Sequence, residues 1–440
     1  MILSNIKITD FRCFEALDLS FDARLNVFVG ENAAGKTAIV EAINIGLGPL
    51  MERLRPWRGS RLSDADIRRQ ADGKPAPAAD IYLATQSPVL EWSLHQWRDH
   101  TGLTWQEYNG LRQDAKIANI GRNPIQDFAD SLLEKHLNKQ PFDLPLFAFY
   151  DAERGAKEAH GPKAVPDPYY LRFGAYAKAH KAGISFPEAI GWFNRNQHEA
   201  LKNHDAPEKH LLDAVKQAVH TLLPQIQSLD FQPTANRLTA RFASPAGALV
   251  ELPVSRLSHG YQGMLALVMD FARRLAQANP HLPNPLEAEA ICLIDEVDLH
   301  FHPEWQQRVV PDLLKVFPRT QFILTTHSPQ VLTTVEAANI FIVEKGGVRS
   351  CPAPTYGASS ADVVSEVLGL RSLRPPNNPI ASKISALFEA IDDSDLGKAK
   401  AVRAELNDWA KGFPEPDLVR ADLMIRRLEV KENGKNAARP

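Results

Sequence analysis

Residues 30–37 read Gly-Glu-Asn-Ala-Ala-Gly-Lys-Thr, a complete G-x-x-x-x-G-K-[ST] phosphate loop. It stands between two segments of opposite character. Leu25-Asn26-Val27-Phe28-Val29 is a short β-rich apolar run, and Thr37-Ala38-Ile39-Val40-Glu41-Ala42-Ile43 has a helical pattern. Such a strand–loop–helix unit predicts an α/β fold with a helix N-terminus aimed at an anion. Gly30 and Gly35 let the backbone wrap closely, so that successive N–H groups of a loop containing Asn32, Ala33 and Ala34 point inward. Lys36 supplies a point charge for the β- and γ-phosphates, and the Thr37 hydroxyl is a Mg²⁺ ligand. The bare pattern arises by chance in about one or two chains per hundred of this length, and the flanking strand and helix lower that further. A nucleoside triphosphate, ATP or GTP, is the expected ligand.

The 440 residues are enough for a large core and two or more subdomains. No run nears 18 consecutive apolar residues, and the first residues alternate like a strand instead of a signal peptide. A cytoplasmic protein with no membrane segment is expected. Cys13, Cys292 and Cys351 lie too far apart to read as a disulfide framework or a zinc cluster. A net charge of −3 gives no global pull toward nucleic acid. Arg53, Arg55, Arg58, Arg61, Arg68 and Arg69 form a local basic cluster, read first as a solvated face.

The second half of the chain supplies the partners that a phosphate loop needs. Ile291-Cys292-Leu293-Ile294-Asp295-Glu296 is an apolar run ending in two carboxylates, the Walker B layout. There Asp295 enters the Mg²⁺ shell and Glu296 polarises the attacking water. A second apolar strand, Gln321-Phe322-Ile323-Leu324-Thr325-Thr326, delivers His327 to a position from which an imidazole can sense the γ-phosphate. Neither His300 nor His302 has a third metal ligand at suitable spacing, so a loop role is expected for both. Ser258 and Gly260 open the helical segment that begins near Met264; alone they read as an N-cap or as donors to another phosphate.

In order and spacing these motifs resemble an ABC-type ATPase of the RecF/SMC/OLD branch. Phe11-Arg12-Cys13-Phe14 is similar to the branch's F-R-x-F element, and Leu257-Ser258-His259-Gly260 to its L-S-x-G signature. The string from Leu293 to Pro303 is similar to L-I-D-E-x-D-x-H-x-H-P. The resemblance implies a phosphate contact from Arg12. It also implies a head-to-tail homodimer, or a higher homo-oligomer, with composite ATP sites in which Ser258 and Gly260 act on the other chain's nucleotide. Ala33 stands where Gly is common and His259 where transporters carry Gly. The Q-loop ligand is open; the run Leu146–Tyr150 is the expected lead-in, and Gln86 is a weak alternative.

Along the chain, residues 1–94 and 231–349 are expected to form a split ATPase lobe around a mostly helical insertion at 95–230. The polar stretch 151–169 reads as a surface loop, 350–430 as a helical, partner-binding region, and 431–440 as a disordered tail. Asp392, Asp393 and Asp395 lack the strand context of a Toprim nuclease and read as a solvated loop. No sustained heptads mark a long coiled-coil arm. The stretch Tyr356-Gly357-Ala358-Ser359-Ser360 with its helical C-terminus resembles the ATPase subunits of Septu-type and retron-associated antiphage systems. That resemblance implies a separate HNH-type nuclease partner, with DNA or retron RNA as further partners. Two alternatives stand beside it: a RecF-like ATPase that clamps DNA, and a nucleotide-gated scaffold that does not hydrolyse.

Overall fold

A computed structural model describes residues 1–54, 59–98, 123–152, 171–180, 186–203, 207–243, 248–370 and 374–437. The chain divides into two compact units, Met1–Val363 and Val364–Pro440. In the first, strands β1 (Ile2–Phe11), β2 (Phe14–Ser20), β4 (Ala78–Ser87) and β5 (Val89–Trp97) form an antiparallel sheet ordered β2-β1-β4-β5. Strands β3 (Leu25–Gly30), β6 (Leu146–Tyr150), β10 (Ala290–Ile294), β11 (Thr320–Thr326), β12 (Ile340–Glu344) and β13 (Gly347–Ser350) form the main sheet. Its order is β13-β12-β3-β11-β10-β6, parallel throughout except for the β12–β13 hairpin. A third antiparallel sheet holds β7 (Ile226–Gln232), β8 (Arg237–Ala243) and β9 (Leu249–Pro253) in sequence order.

Composition explains where the main sheet sits. Every residue of β6, β10 and β11 is buried, as expected for parallel strands covered on both faces, and β6 and β10 are continuous apolar runs. The polar residues Thr320, Gln321, Thr325 and Thr326 all stand in β11, and Gln321 is the largest of them. It is fully buried in β11, where its amide accepts from Leu3 N at 2.8 Å and donates to the carbonyls of Leu3 and Asp22, tying the main sheet to β1.

The segment expected as an insertion differs in one respect. The helices Pro124–Leu137 and Phe186–Lys202 agree with its expected helical character, yet β6 between them is a strand of the main sheet. The limits at 94 and 230 also fall inside β5 and β7. Most of the 151–169 stretch, with Arg55 and Arg58, lies outside the described residues.

A buried ionic cluster fixes the long helix His259–Ala278 against β6. Asp270, fully buried, accepts from Arg273 and Arg274 at 2.6 Å each and from the Tyr150 hydroxyl at 2.9 Å. Arg274 also donates to the carbonyls of Ala175 and Ala177. Burial pushes the Asp270 carboxyl up, but the two guanidinium groups, Arg274 foremost, hold it below the usual carboxylate range.

The second unit is helical: Pro379–Asp392, Leu396–Glu405, Asn407–Ala410 and Pro416–Ala437 enclose a core that includes Leu387, Leu406, Leu418 and Ile425. This unit begins at Val364, within the stretch 350–430 expected to be helical. The last helix runs to Ala437, through most of the segment expected to be disordered. Asp395 caps the helix Leu396–Glu405, accepting from Lys398 N at 2.9 Å, so one member of the acidic set has a structural task.

Removing one partner of a buried ionic cluster leaves uncompensated charge. Asp270→Ala is expected to cost about 3–5 kcal/mol, whereas Tyr150→Phe, which keeps the Asp–Arg pairs, costs about 1 kcal/mol. Urea-unfolding midpoints of the two variants check the difference; equal midpoints would contradict it.

Candidate functional site

The phosphate loop follows β3, and its fixed residues answer local crowding. A Cβ on Gly30 would lie 2.2 Å from the Val343 carbonyl oxygen of the neighbouring strand. Gly35 has φ +114°, and a Cβ there would meet the Phe14 ring at 2.6 Å and Cys13 Sγ at 2.7 Å. Both positions exclude a side chain. Ala33 adopts φ 63°, a left-handed conformation that glycine takes without strain, which accounts for glycine's frequency at that place in the motif.

Lys36 opens the helix Lys36–Gly46 and is 6% exposed. Its ammonium group donates to the carbonyls of Gly30 at 3.0 Å and Glu31 at 2.9 Å, so it is folded over the loop. Burial draws its pKa below the ordinary lysine range, against the opposing pull of Asp295, Glu296 and Asp298. The next residue, Thr37, donates from Oγ1 to Asp295 Oδ2 at 2.8 Å.

Asp295 stands at the carboxyl end of β10, 4% exposed, with a second bond from Thr325 Oγ1 at 2.5 Å. Its own N–H donates to the Tyr150 carbonyl at 2.7 Å. Glu296 has φ 50° and donates its N–H to Thr325 Oγ1 at 2.8 Å. A non-glycine residue in that region is strained, and such strain is found where surrounding structure dictates a side chain's direction. His327 is half-buried at the end of β11. Burial, and then the Lys36 charge, lower its pKa, while Glu296, Asp298 and Asp295 act in the other direction.

The structure therefore gathers the loop, Asp295, Glu296 and His327 at the carboxyl ends of β3, β10 and β11, where open α/β sheets bind ligands. Two adjacent hard oxygen donors, Thr37 Oγ1 and Asp295 Oδ2, fit Mg²⁺, which takes few protein ligands and fills its shell from phosphates and water. Among the described residues no group of three or more His, Cys, Asp or Glu side chains can hold a metal unaided.

Other expected residues are placed differently. Arg12 sits at the β1–β2 turn with φ 50°, bonded to Asp66 at 3.0 Å and paired with Glu41 of the phosphate-loop helix. A phosphate contact requires it to exchange one of these carboxylates. Ser258 is exposed and caps the helix His259–Ala278, its Oγ accepting from Tyr261 N at 3.5 Å. Gly260 lies so close to the His300 carbonyl that a Cβ would stand 2.6 Å from its oxygen. His302 caps the helix Pro303–Gln306, in keeping with a loop role.

Gln86 pairs with Val89 at one end of β4. The phosphate loop packs at the opposite end of this sheet, against Phe14, which pairs with Phe11. Gln86 is too far along the strand to serve as the Q-loop ligand. β6 does lie beside Walker B, and residues 153–170, which follow it, are outside the described residues. Among the described residues of the basic cluster, Arg53 pairs with Asp130, Arg61 with Glu52 and Arg68 with Asp10. Thr325 and Thr326 were not singled out by the sequence pattern. Their signal was the Thr-Thr pair directly before His327.

Comparison with known proteins agrees with this geometry. An AAA-domain family model matches residues 5–228 and a second AAA-domain model residues 176–333. The retron Vc95 probable ATPase of Vibrio cholerae serotype O1 biovar El Tor is 46% identical, covering 82% of this chain and 78% of that protein. The chain belongs to the AAA-domain family of retron and Septu ATPases. The Septu protein PtuA of Bacillus thuringiensis is 34% identical, covering 86% of each chain. The retron Ec83 probable ATPase of Escherichia coli is 26% identical, covering 86% of this chain and 77% of that one. No helix among the described residues is long and apolar enough to cross a membrane.

Because its folded pKa is lowered, His327 is neutral at pH 7 in this family member. Its contribution to stability is present above the ordinary imidazole value of about 6.5 and is lost as pH falls through the lowered one. An NMR titration of the nucleotide-free protein should find the His327 midpoint below that of a free imidazole, and Lys36→Met should move it upward. A midpoint unchanged by Lys36→Met contradicts the placement of Lys36 as its main opposing charge.

Proposed function

We propose that this chain is an ATPase that binds ATP with Mg²⁺ and closes into a head-to-tail homodimer, using the cycle to control a partner nuclease in antiphage defence. The observation that carries this reading is the arrangement of Ser258. The loop, Asp295, Glu296 and His327 meet in one chain, while Ser258 is exposed and caps its own helix. An exposed serine at a helix N-terminus is suited to a phosphate brought by a second copy.

In the closed site Lys36 leaves its carbonyl partners and takes the β- and γ-phosphates. Thr37 and Asp295 hold Mg²⁺, which when bound neutralises charge on the phosphate oxygens. Glu296 orients the attacking water and accepts its proton. Neutral His327 donates a hydrogen bond to the γ-phosphate and loses it on phosphate release. Arg12 exchanges Glu41 or Asp66 for a phosphate oxygen. Ser258 and Gly260 of the second copy complete the donor set.

The family's retron and Septu members support a role beside a separate nuclease, and the helical unit after Val363 is the part proposed to bind it. On this reading the protein works in the cytoplasm.

Ser258→Arg is expected to abolish hydrolysis while leaving ATP binding intact, and Glu296→Gln to accumulate an ATP-bound dimer by light scattering. Loss of ATP binding in Ser258→Arg contradicts the two-chain site. Failure to co-purify with an adjacently encoded HNH nuclease, with dimerisation intact, removes the nuclease half and leaves an ATP-driven clamp.

A further inference from the structure

The switch loop and the signature helix are joined within one chain through the segment that follows Glu296. Thr326 Oγ1 donates to Asp298 Oδ1 at 2.5 Å and accepts from Ser328 N at 3.0 Å. Ser328, 5% exposed, places its Oγ 2.8 Å from Gln306 Oε1. The other end of the Gln306 amide donates to the Phe301 carbonyl at 3.0 Å. Gln306 is thus held at both ends of one planar group, and it closes the short helix Pro303–Gln306.

The preceding residue, Trp305, carries the connection on. Its ring meets the Tyr261 ring edge-on, with centroids 4.3 Å apart and planes at 78°. Tyr261 supplies the N–H that Ser258 Oγ accepts, and its ring also touches Phe242 of β8. Beside it, Gly260 lies against His300 without room for a side chain. A shift of the short helix therefore bears directly on the first turn of the signature helix.

We propose that Gln306 and Trp305 are positioning residues that couple the two ATP sites of the dimer. This rests on the two-chain reading above. In such a dimer His327 reads one nucleotide while Ser258 of the same chain contacts the other. The path from His327 through Ser328, Gln306, Trp305 and Tyr261 then joins one site to the next. Movement of His327 on loss of a γ-phosphate pulls Ser328 and Gln306, and the Trp305–Tyr261 contact passes the displacement to Ser258.

Spatial continuity alone does not measure coupling, so the test reads coupling directly. In the full-length protein, Gln306→Ala and Ser328→Ala should bind a fluorescent ATP analogue as the wild type does. Each should lose roughly tenfold in kcat with KM little changed, and lose cooperativity in ATP concentration. Ser328→Thr, which keeps the hydroxyl, should restore both. ATP should induce a tryptophan emission change in the wild type, and this change should disappear both in Trp305→Phe and in Gln306→Ala.

Wild-type kcat and cooperativity in Gln306→Ala, with ATP-dependent dimerisation of Glu296→Gln intact, overturn the coupling role alone. Failure of Glu296→Gln to dimerise overturns the two-chain reading beneath it. A parallel loss of ATP binding in Gln306→Ala and Ser328→Ala means that these residues only maintain the fold, and also overturns the proposal.

Discussion

The site depends on one buried carboxylate. Asp295 takes hydroxyl bonds from Thr37 at the start of the phosphate-loop helix and from Thr325 on β11, while its backbone bonds to Tyr150 of β6. Three separate stretches of chain are referred to a single residue. A buried charge tolerates this position only if its lone pairs are satisfied, so the carboxylate demands the neighbours that a Mg²⁺-binding site needs. Register in the parallel sheet does the rest: Ile294 pairs with Tyr150, the last residue of β6, and with Leu324, so that Thr325 lies one residue further on, beside Asp295.

The Asp270 cluster applies the same logic away from the phosphates. It joins the helix that begins after Ser258 to β6, and β6 is the strand beside Walker B. The signature helix is consequently gripped at its middle by ionic bonds and at its first turn by aromatic and backbone contacts with residues 300–305. The two grips differ in kind. Ionic bonds buried in close-packed surroundings resist displacement, whereas ring edges at partly exposed positions slide at lower cost.

Residues whose identity is dictated by sterics or charge were legible in the sequence. Gly30, Gly35 and Lys36 have no chemical substitutes at their places and Thr37 has only serine, and the apolar runs of β3, β10 and β11 announce buried parallel strands. The run Leu146–Tyr150 was legible as a strand, but its sheet was not, because pairing partners about 140 residues away leave no trace in a local pattern. Thr325 was hidden because a strand-end threonine looks the same whether or not a carboxylate faces it. Gln306 was hidden for a similar reason. Only the last turns of the final helix were missed, because they carry no apolar period and helices extend more easily than they begin.

The order of strands in the main sheet bears on how the protein is made. β3 is flanked only by β11 and β12, which are translated about three hundred residues later. The small antiparallel sheet draws its four strands from the first hundred residues and can assemble early. On the ribosome, the strand that bears the nucleotide loop waits for its first partner until the chain has passed Thr326 and for its second until Glu344. Such long-range pairing slows folding and leaves an apolar strand in need of shelter while synthesis proceeds. A nucleotide-binding surface is therefore among the last parts of this unit to come into existence, so incomplete chains carry the loop but not the pocket around it.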